Sequence, residues 1–236
     1  MTTVILFIFG ATVGSFLNVV ALRYPALPLG RSVCPKCGKR LQWFELPPFF
    51  SFLVLGGRCR TCKTKISLQY PIIELWTGLV FATVPHLLLP VFCIYIIIAI
   101  YDFRHKIIPD ALVYSTIVLS VAFALLNLPT YQLIDLAAGP LLFLFFSSIW
   151  LLTGGRAIGF GDAKLALSIG FLFGAGLGFS AAILAFWIGA LTGIVGMLFS
   201  RKNITMKSEM PFAPFLVLGS WLALILNLDL LHVSSF

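Results

Sequence analysis

The stretch "AIYDFRHKIIPD", residues 99–110, separates two long apolar segments and places two aspartates, an arginine, a histidine and a lysine between them. Long apolar runs joined by short basic loops are typical of a chain that crosses a membrane several times. The composition agrees, because 60% of the 236 residues are hydrophobic and only 10% are charged. A soluble domain cannot bury so much apolar surface, so the sequence predicts that lipid surrounds most of the chain.

The same pattern gives eight apolar segments along the chain. Pro85 and Pro90 separate the second from the third, and the third and sixth are short for a span of about 20 residues. Gly189, Gly193 and Gly196 give the seventh the spacing of a close helix–helix contact. We predict an all-α polytopic membrane protein of about eight transmembrane helices, with a polar loop that contains four cysteines between the first and second. The segments are 2–22, 70–88, 89–103, 110–128, 132–152, 163–175, 178–199 and 211–231.

The basic residues predict the topology. Nine of the sixteen Lys and Arg residues lie between Arg23 and Lys65, and the others lie near 104–106, 156–164 and 201–207. With eight spans and an outside N-terminus, all of these groups fall on one side, which the positive-inside rule makes cytoplasmic. The net charge of +8 is explained by this topology, with some attraction to an anionic lipid bilayer. We find no nucleic-acid-binding module in the sequence.

Three regions follow from this topology: a first transmembrane helix at 1–22, a cytoplasmic four-cysteine loop at 23–69, and a membrane core at 70–236. The first segment lacks a basic start and is too long for a signal peptide. We therefore expect it to be retained as a transmembrane helix.

The cytoplasmic loop contains two C-x2-C knuckles, made by Cys34, Cys37, Cys59 and Cys62. Four thiolates at this spacing are typical of tetrahedral zinc, which would be structural because protein fills every ligand position. Two disulfides or redox chemistry are the alternatives, and the reducing cytosol disfavours disulfides. Cys93, alone in an apolar segment, is assigned to packing.

The chain has only eight acidic residues, so each can be interpreted by position. Glu74 lies inside the second apolar segment, where an ionisable group is a functional hypothesis by default; a buried partner for a basic group or a backbone donor is the alternative. Asp110 follows Pro109, which is typical of a helix start. Asp135 is assigned to a solvated position near the outer membrane surface.

Asp102 ends the third apolar segment and Asp162 begins the sixth, so both are expected at the cytoplasmic edge of the membrane. Gly159 and Gly161 allow a tight turn and leave room for another chain beside Asp162. Two adjacent carboxylates share a proton, so that one activates water while the other protonates or polarises a carbonyl. Spacing alone leaves open a catalytic pair or an ion- or proton-coupled transport site. The sequence contains neither H-E-x-x-H nor G-x-S-x-G.

Several spaced motifs resemble one family, the bacterial type IV prepilin peptidases, which are membrane aspartic proteases also called leader peptidase/N-methyltransferases. The resemblance covers nearly the whole chain and includes both cysteine knuckles. The other matching motifs are "GSFLNVVALRYP" at 14–25, "ISLQYPIIELWTG" at 66–78, "YDFRHKIIPD" at 101–110, "GFGDAKL" at 159–165 and "PFAPFLVLG" at 211–219. One departure is "WFELPP", where Glu45 stands in a place that commonly holds an amide.

The resemblance implies that Asp102 and Asp162 are the catalytic pair of a peptidase core at 70–236. It implies cleavage of a short basic leader from prepilin or pseudopilin precursors at the cytoplasmic face of the inner membrane. It further implies methylation of the new N-terminal amine with S-adenosyl-L-methionine, an activity associated with the cysteine loop. Candidates for substrate contact or support of the site are Glu74, Gly159, Gly161 and Lys164.

Two alternatives to the bifunctional enzyme remain at this point. One is an ion-coupled membrane transporter in which Asp102 and Asp162 bind cations. Carriers usually place such groups near the midplane on broken helices repeated in two halves, and the sequence shows no such repeat. The other is a peptidase without methyltransferase activity, in which the cysteine loop is a scaffold.

Overall fold

In the part of the chain that the structure describes, helices are the main secondary structure, and the cysteine loop forms turns. The structure is a computed structural model that describes residues 1–26, 30, 33–34, 36–40, 52, 55–127, 132–199 and 210–230. Within these residues the only β-structure is two isolated bridges in the cysteine loop. The helices are α1 Thr2–Arg23, α2 Gln69–Thr83, α3 Leu89–His105, α4 Asp110–Leu126, α5 Leu133–Thr153, α6 Phe160–Phe199 and α7 Ala213–Leu226, with a 3-10 helix at His86–Leu88.

Several helix ends lie next to prolines in the sequence. Helix α1 ends at Arg23, just before Pro25, and α2 ends at Thr83, just before Pro85, because the residue before a proline disfavours the helical conformation. Pro109 precedes the first residue of α4 and supplies a fixed φ of −66°. The polar stretch at 99–110 therefore forms the last turn of α3 and its connection to α4.

The all-α fold class is confirmed, whereas a count of eight spans is not shown. In the described part of the chain, four helices are long and apolar enough to cross a membrane: Thr2–Arg23, His86–His105, Ile134–Thr153 and Phe160–Leu198. The helices Asp110–Leu126 and Ala213–Leu226 are apolar but shorter. The predicted sixth and seventh segments form one 40-residue element, α6, interrupted by a single non-helical residue.

The chain divides into two units, Met1–Leu89 and Pro90–Phe236. In the first unit, α1 packs on α2 through glycines of the sequence "GATVG". A Cβ on Gly10 would lie 2.5 Å from the Cβ of Phe81, and one on Gly14 would lie 2.8 Å from the Cβ of Thr77. Small residues four apart thus let the two helices approach closely, as they commonly do in membranes.

In the second unit, α6 packs against α4, α5 and α7. The closest approaches again occur at glycines, since a Cβ on Gly170 would lie 2.5 Å from the Cα of Gly139 in α5. A Cβ on Gly219 of α7 would lie 2.5 Å from the carbonyl oxygen of Ala181 in α6. At these two points the backbones of α5 and α6, and of α6 and α7, approach without an intervening side chain.

Of the glycines Gly189, Gly193 and Gly196, for which a close helix–helix contact was predicted, the first two do not make one. A Cβ on Gly189 would first meet the Phe215 ring at 3.4 Å, and one on Gly193 would first meet the Met210 sulfur at 3.6 Å. Both are ordinary van der Waals distances to flexible side chains rather than to a neighbouring backbone. Glycine spacing alone does not tell which turn of a long helix faces its partner.

The interruption of α6 lies at Gly174, which has φ 71° and ψ −166°. This combination is accessible almost only to glycine. Asp135, in the first turn of α5, accepts hydrogen bonds from the amides of Ala175 at 2.9 Å and Gln132 at 3.0 Å. Asp135 is therefore a half-buried cap that joins the start of α5 to the break in α6, and the assignment to a solvated position is corrected.

We expect Asp135→Ala to lower the free energy of unfolding by about 1–3 kcal/mol, because two backbone amides lose their acceptor at once. Asp135→Asn keeps one acceptor oxygen and should fall between the wild type and the alanine variant. The measurement is unfolding of the protein in detergent, followed by circular dichroism. Wild-type stability in Asp135→Ala would show that the cap contributes nothing.

Candidate active site and metal centre

Both aspartates singled out by the sequence line one cavity of about 910 Å³ in the second unit. The walls come from the end of α3, the starts of α4 and α7, two separate parts of α6, Ile149 of α5 and the glycine-rich turn before α6. Asp102 and Asp162 are each only 5% exposed. They lie close enough to interact electrostatically. Two acids that are sixty residues apart in the sequence therefore share one buried site.

Asp102 lies in the last turn of α3, and its carboxylate is anchored by the start of α7. Its Oδ2 atom accepts a hydrogen bond of 3.2 Å from the amide of Ala213, the first residue of that helix. The first amides of a helix have no partner within the helix and carry its positive dipole end, so they favour an anionic acceptor. Phe212 and Pro214 flank this amide, which gives the "PFAPFLVLG" motif a physical role in holding Asp102.

Asp162 lies in the first turn of α6 and folds back on the turn that precedes it. Its Oδ2 atom accepts a hydrogen bond of 3.1 Å from the amide of Gly159. Its Oδ1 atom is buried and has no hydrogen-bond partner among the described residues. One oxygen of this carboxylate is thus anchored, and the other has no partner in the part of the chain that the structure describes.

The two glycines of the G-x-G-D motif lie in tight surroundings, most closely at Gly161. A Cβ on Gly161 would lie 2.9 Å from the Cβ of Ile108, in the loop between α3 and α4. A Cβ on Gly159 would lie 3.3 Å from the Asp162 Oδ2 atom and would crowd the anchored oxygen. The expectation that a second chain segment passes beside Asp162 is met by the loop that carries Ile108.

Asp110 and Lys164 form an ion pair on the wall of the same cavity. The Lys164 Nζ and Asp110 Oδ1 atoms are 2.6 Å apart, with the lysine side chain 16% and the aspartate side chain 63% exposed. The ammonium group also lies 5.1 Å from the ring centre of Tyr114 and 5.4 Å from that of Phe160. Asp110 is the first residue of α4, as the sequence indicates, and it additionally holds Lys164 in place.

Glu74 lies in the first unit, inside α2, and is 7% exposed. Its Cα is 3.1 Å from the position of a Cβ on Gly14, so it belongs to the close packing of α1 on α2. Buried nearby in α1 is Asn18, whose Oδ1 atom accepts a hydrogen bond from the Gln69 side chain at 3.4 Å. A role for Glu74 in substrate contact stays a prediction. Glu45 lies outside the described residues.

The four loop cysteines form a cluster that could hold a metal ion. The Sγ atoms of Cys34, Cys37, Cys59 and Cys62 all lie within 4.8 Å of one another. Those of Cys34 and Cys62 are 3.7 Å apart, which is too long for a disulfide. Four sulfurs at about 2.3 Å from a tetrahedral zinc ion would be separated by roughly 3.8 Å. The donor set and its spacing therefore fit zinc.

The two knuckles have the same backbone structure. In each, the amide of the first cysteine donates to the carbonyl five residues later, at 2.9 Å for Cys34 and 2.8 Å for Cys59. The carbonyl of each first cysteine accepts from the amide four residues later, at 2.9 Å in both. The donors of this second bond, Gly38 and Lys63, have positive φ of 67° and 57°. Two matching turns thus present their sulfurs to a common centre.

Hydrogen bonds favour thiolates in this cluster, whereas the closeness of the sulfurs limits how many of the thiols can be ionised at once. Two amides of the first knuckle lower the pKa of Cys34. The side chain and amide of Thr64 lower the pKa of Cys62 to about 6. The Lys39 amide lowers the pKa of Cys37, but desolvation and the neighbouring thiol groups outweigh it and raise that pKa to about 11. A cation at the centre removes this conflict, because metal ligation deprotonates all four thiols.

Two family models match consecutive parts of the chain, between residues 8 and 194. The family described as "Bacterial Peptidase A24 N-terminal domain" matches residues 8–87, and the "Type IV leader peptidase family" matches residues 87–194. Nothing among the solved structures matches.

Three curated relatives are each named "Prepilin leader peptidase/N-methyltransferase". One from Bacillus subtilis (strain 168) is 35% identical, with 93% of this chain and 92% of the relative covered. One from Aeromonas salmonicida is 30% identical, with 94% of this chain and 89% of the relative covered. One from Pseudomonas putida is 29% identical, with 92% and 88% covered.

Proposed function

The chain belongs to the type IV leader peptidase family, and we propose that it cleaves the leader from type IV prepilins or pseudopilins with Asp102 and Asp162 as its catalytic pair. The observation that carries the assignment of the pair is their convergence in one cavity, where each has one carboxylate oxygen anchored by a backbone amide. Such anchoring orients both carboxyl groups toward a common substrate.

The proposed reaction is the hydrolysis of one peptide bond by two acids that share a proton. The ionised carboxylate removes a proton from a water molecule, whose oxygen attacks the carbonyl carbon of the leader's last residue. The protonated carboxyl group donates a hydrogen bond to the carbonyl oxygen. When the carbon–nitrogen bond breaks, the amine of the mature protein takes up a proton and leaves. The unpartnered Oδ1 atom of Asp162 is the oxygen we assign to water activation.

The second activity of this family is methylation of the amine that cleavage exposes. The relatives carry both activities in their name. The methyl group is proposed to come from S-adenosyl-L-methionine, and transfer requires the neutral amine as nucleophile. A peptidase that lacks this activity is the narrower alternative. The N-terminus of the cleaved precursor distinguishes the two, because only the bifunctional enzyme methylates it.

The four-cysteine cluster is proposed to hold structural zinc. Its support is the closeness of the four sulfurs and the matched pair of turns that present them. A filled four-thiolate site has no open position for water or substrate, so the metal would stabilise the loop and take no direct part in either reaction.

The helices and the family together place the protein in the inner membrane. We propose the finer topology from charge: eight spans, an outside N-terminus, and the cysteine loop and aspartates on the cytoplasmic side. The division into a first transmembrane helix at 1–22, a zinc loop at 23–69 and a peptidase core at 70–236 is likewise proposed. The basic loop would also attract anionic lipid headgroups.

The transporter alternative is not favoured, because residues 8–194 match peptidase family models and the relatives that cover most of the chain are named as peptidases. The deciding experiment is co-expression with a pilin-like precursor, followed by mass spectrometry of the precursor's N-terminus. Loss of the leader mass reports cleavage, and a further gain of about 14 Da reports one methyl group. A precursor that keeps its full leader beside well-expressed protein would refute the proposed activity.

Asp110 is expected to be dispensable for catalysis, although it lines the same cavity as the pair. Asp110→Asn should keep leader cleavage within about fivefold of the wild type. Only a helix-dipole contribution and an exposed ion pair with Lys164 are lost, each worth about 0.3–1 kcal/mol. The measurement is the initial rate of cleavage by purified protein. Complete inactivity with normal expression would place Asp110 in the catalytic set.

A further inference from the structure

A cluster of three hydroxyl groups lies fully buried between the helices of the second unit. The hydroxyl oxygens of Tyr95 in α3 and Ser168 in α6 are 2.8 Å apart, and those of Ser168 and Ser120 in α4 are 2.9 Å apart. All three side chains are 0% exposed. A buried hydroxyl is costly unless it is hydrogen-bonded, and here Ser168 joins the other two.

The cluster lies at the middle of a series of contacts between α3 and α6. At one end, the ring centres of Phe92 and Phe173 are 6.1 Å apart. At the other end are the two aspartates in their shared cavity. Successive contacts advance along α3 as they retreat along α6, so the two helices run antiparallel, and this series defines their register.

Within this series, the hydrogen bond between Tyr95 and Ser168 is the contact that depends most on geometry. Packed phenylalanine rings and aliphatic side chains tolerate sliding, whereas a hydrogen bond weakens steeply when its length or angle changes. In a membrane, where lipid competes well for apolar helix faces, hydrogen bonds between helices contribute specificity that apolar packing lacks. The Tyr95–Ser168 bond therefore selects one register of α3 against α6.

This register sets the distance between the carboxylates. Tyr95 and Asp102 are seven residues apart, which is two helical turns, so they lie on the same face of α3. A slip of one turn would move Asp102 by about 5.4 Å along α6. A misplacement of about 1 Å can cost on the order of 100-fold in rate, so much smaller shifts already matter.

We propose that Tyr95 and Ser168 are positioning residues, which fix the register of α3 on α6 and thereby hold Asp102 and Asp162 at their working distance, with Ser120 of α4 as the second partner of the Ser168 hydroxyl. None of the three lines the cavity, so they act through the helices that carry the acids. The effect on catalysis rests on the proposed function, whereas the effect on register does not.

The kinetic test compares Tyr95→Phe and Ser168→Ala with Ser220→Ala. The control deletes an equally buried hydroxyl, which donates 2.8 Å to the Val217 carbonyl of its own helix. For leader cleavage, both cluster variants should lower kcat about tenfold and change KM less than about twofold, since substrate binding is intact. The double variant should be no slower than Ser168→Ala, because each single variant already removes the shared bond. A kcat equal to that of Ser220→Ala would overturn the proposal.

A structural test measures the register without any substrate. Asp102→Cys and Asp162→Cys are combined, and a short bifunctional thiol reagent joins the two positions. Mass spectrometry of the digested protein then quantifies the linked peptides. The mass of each linked pair identifies its two peptides, so links to native cysteines are counted separately. Adding Ser168→Ala should lower the linked fraction several-fold, whereas adding Ser220→Ala should leave it unchanged. An unchanged fraction with Ser168→Ala would refute the proposal, even if the wild type failed to cleave a precursor.

Discussion

Asparagine in place of Asp102 or Asp162 should lower the rate of leader cleavage by about 10²–10⁴-fold, the range expected for loss of general acid–base catalysis. The amide has nearly the same size as the carboxylate and keeps one acceptor oxygen for the anchoring amide of Ala213 or Gly159. It cannot take up a proton from water or share one with its neighbour. The substitution therefore removes the proposed chemistry and leaves the packing of the site largely intact.

The matched control is Asp110→Asn, the same change at a carboxylate of the same cavity. Cleavage is measured with purified proteins and one precursor, and membrane extraction and melting temperature show whether each variant is folded. The double Asp102→Asn/Asp162→Asn variant should be no slower than either single variant, since the two acids work as a unit. Near wild-type cleavage by either single variant would exclude that residue from the pair.

The aspartates could be found from the sequence because carboxylates at the ends of apolar segments are rare and costly. Their partners could not be found in this way. The bond from Ala213 to Asp102 joins residues that are far apart in the chain, and it depends on how α7 begins beside α3. The only signal was the proline pattern of "PFAPFLVLG", which marks a helix start without telling what the free amides contact.

The cysteine knuckles were also predictable, because a C-x2-C spacing fixes a local turn and the thiol chemistry fixes the class of ligand. The contacts at glycines were less predictable. The "GATVG" spacing in α1 does mark a close contact, whereas the similar spacing at Gly189 and Gly193 does not. Which face of an apolar helix meets lipid and which meets another helix is decided by long-range packing, and nearly uniform hydrophobicity conceals it.

The break at Gly174 shows a further limit of the sequence pattern. The sequence predicted two segments, 163–175 and 178–199, whereas the structure has one helix with a break at Gly174. Asp135 was assigned to solvent because it stood near a predicted membrane surface. In the structure its two carboxylate oxygens serve two different chain segments. A short polar side chain beside a helix start commonly accepts hydrogen bonds from backbone amides rather than from water. The neighbouring sequence does not show that a distant segment offers one of these amides.

The cysteine loop should separate the two activities of the enzyme. Cys59→Ser removes one of four sulfurs and should weaken zinc binding by more than about 100-fold. Loss of a residue that only hydrogen-bonds to a metal ligand already costs about 10–100-fold in affinity. Metal binding supplies folding free energy to a loop of this kind, so its two turns should loosen. The aspartates, in contrast, lie in the second unit and are held by amides of that unit. We therefore expect N-methylation to fall with zinc content, and leader cleavage to fall less.

The matched control is Cys93→Ser, the same substitution at a cysteine of α3 outside the cluster. Zinc per purified chain is measured by elemental analysis, and mass spectrometry of one precursor gives the cleaved and methylated fractions together. Cys93→Ser should match the wild type in all three quantities, which excludes a general effect of replacing a thiol. Full zinc occupancy in Cys59→Ser would refute the four-thiolate site. Equal loss of cleavage and methylation would mean that the loop supports the peptidase as much as the methyl transfer, because a loosened loop would then disturb both reactions.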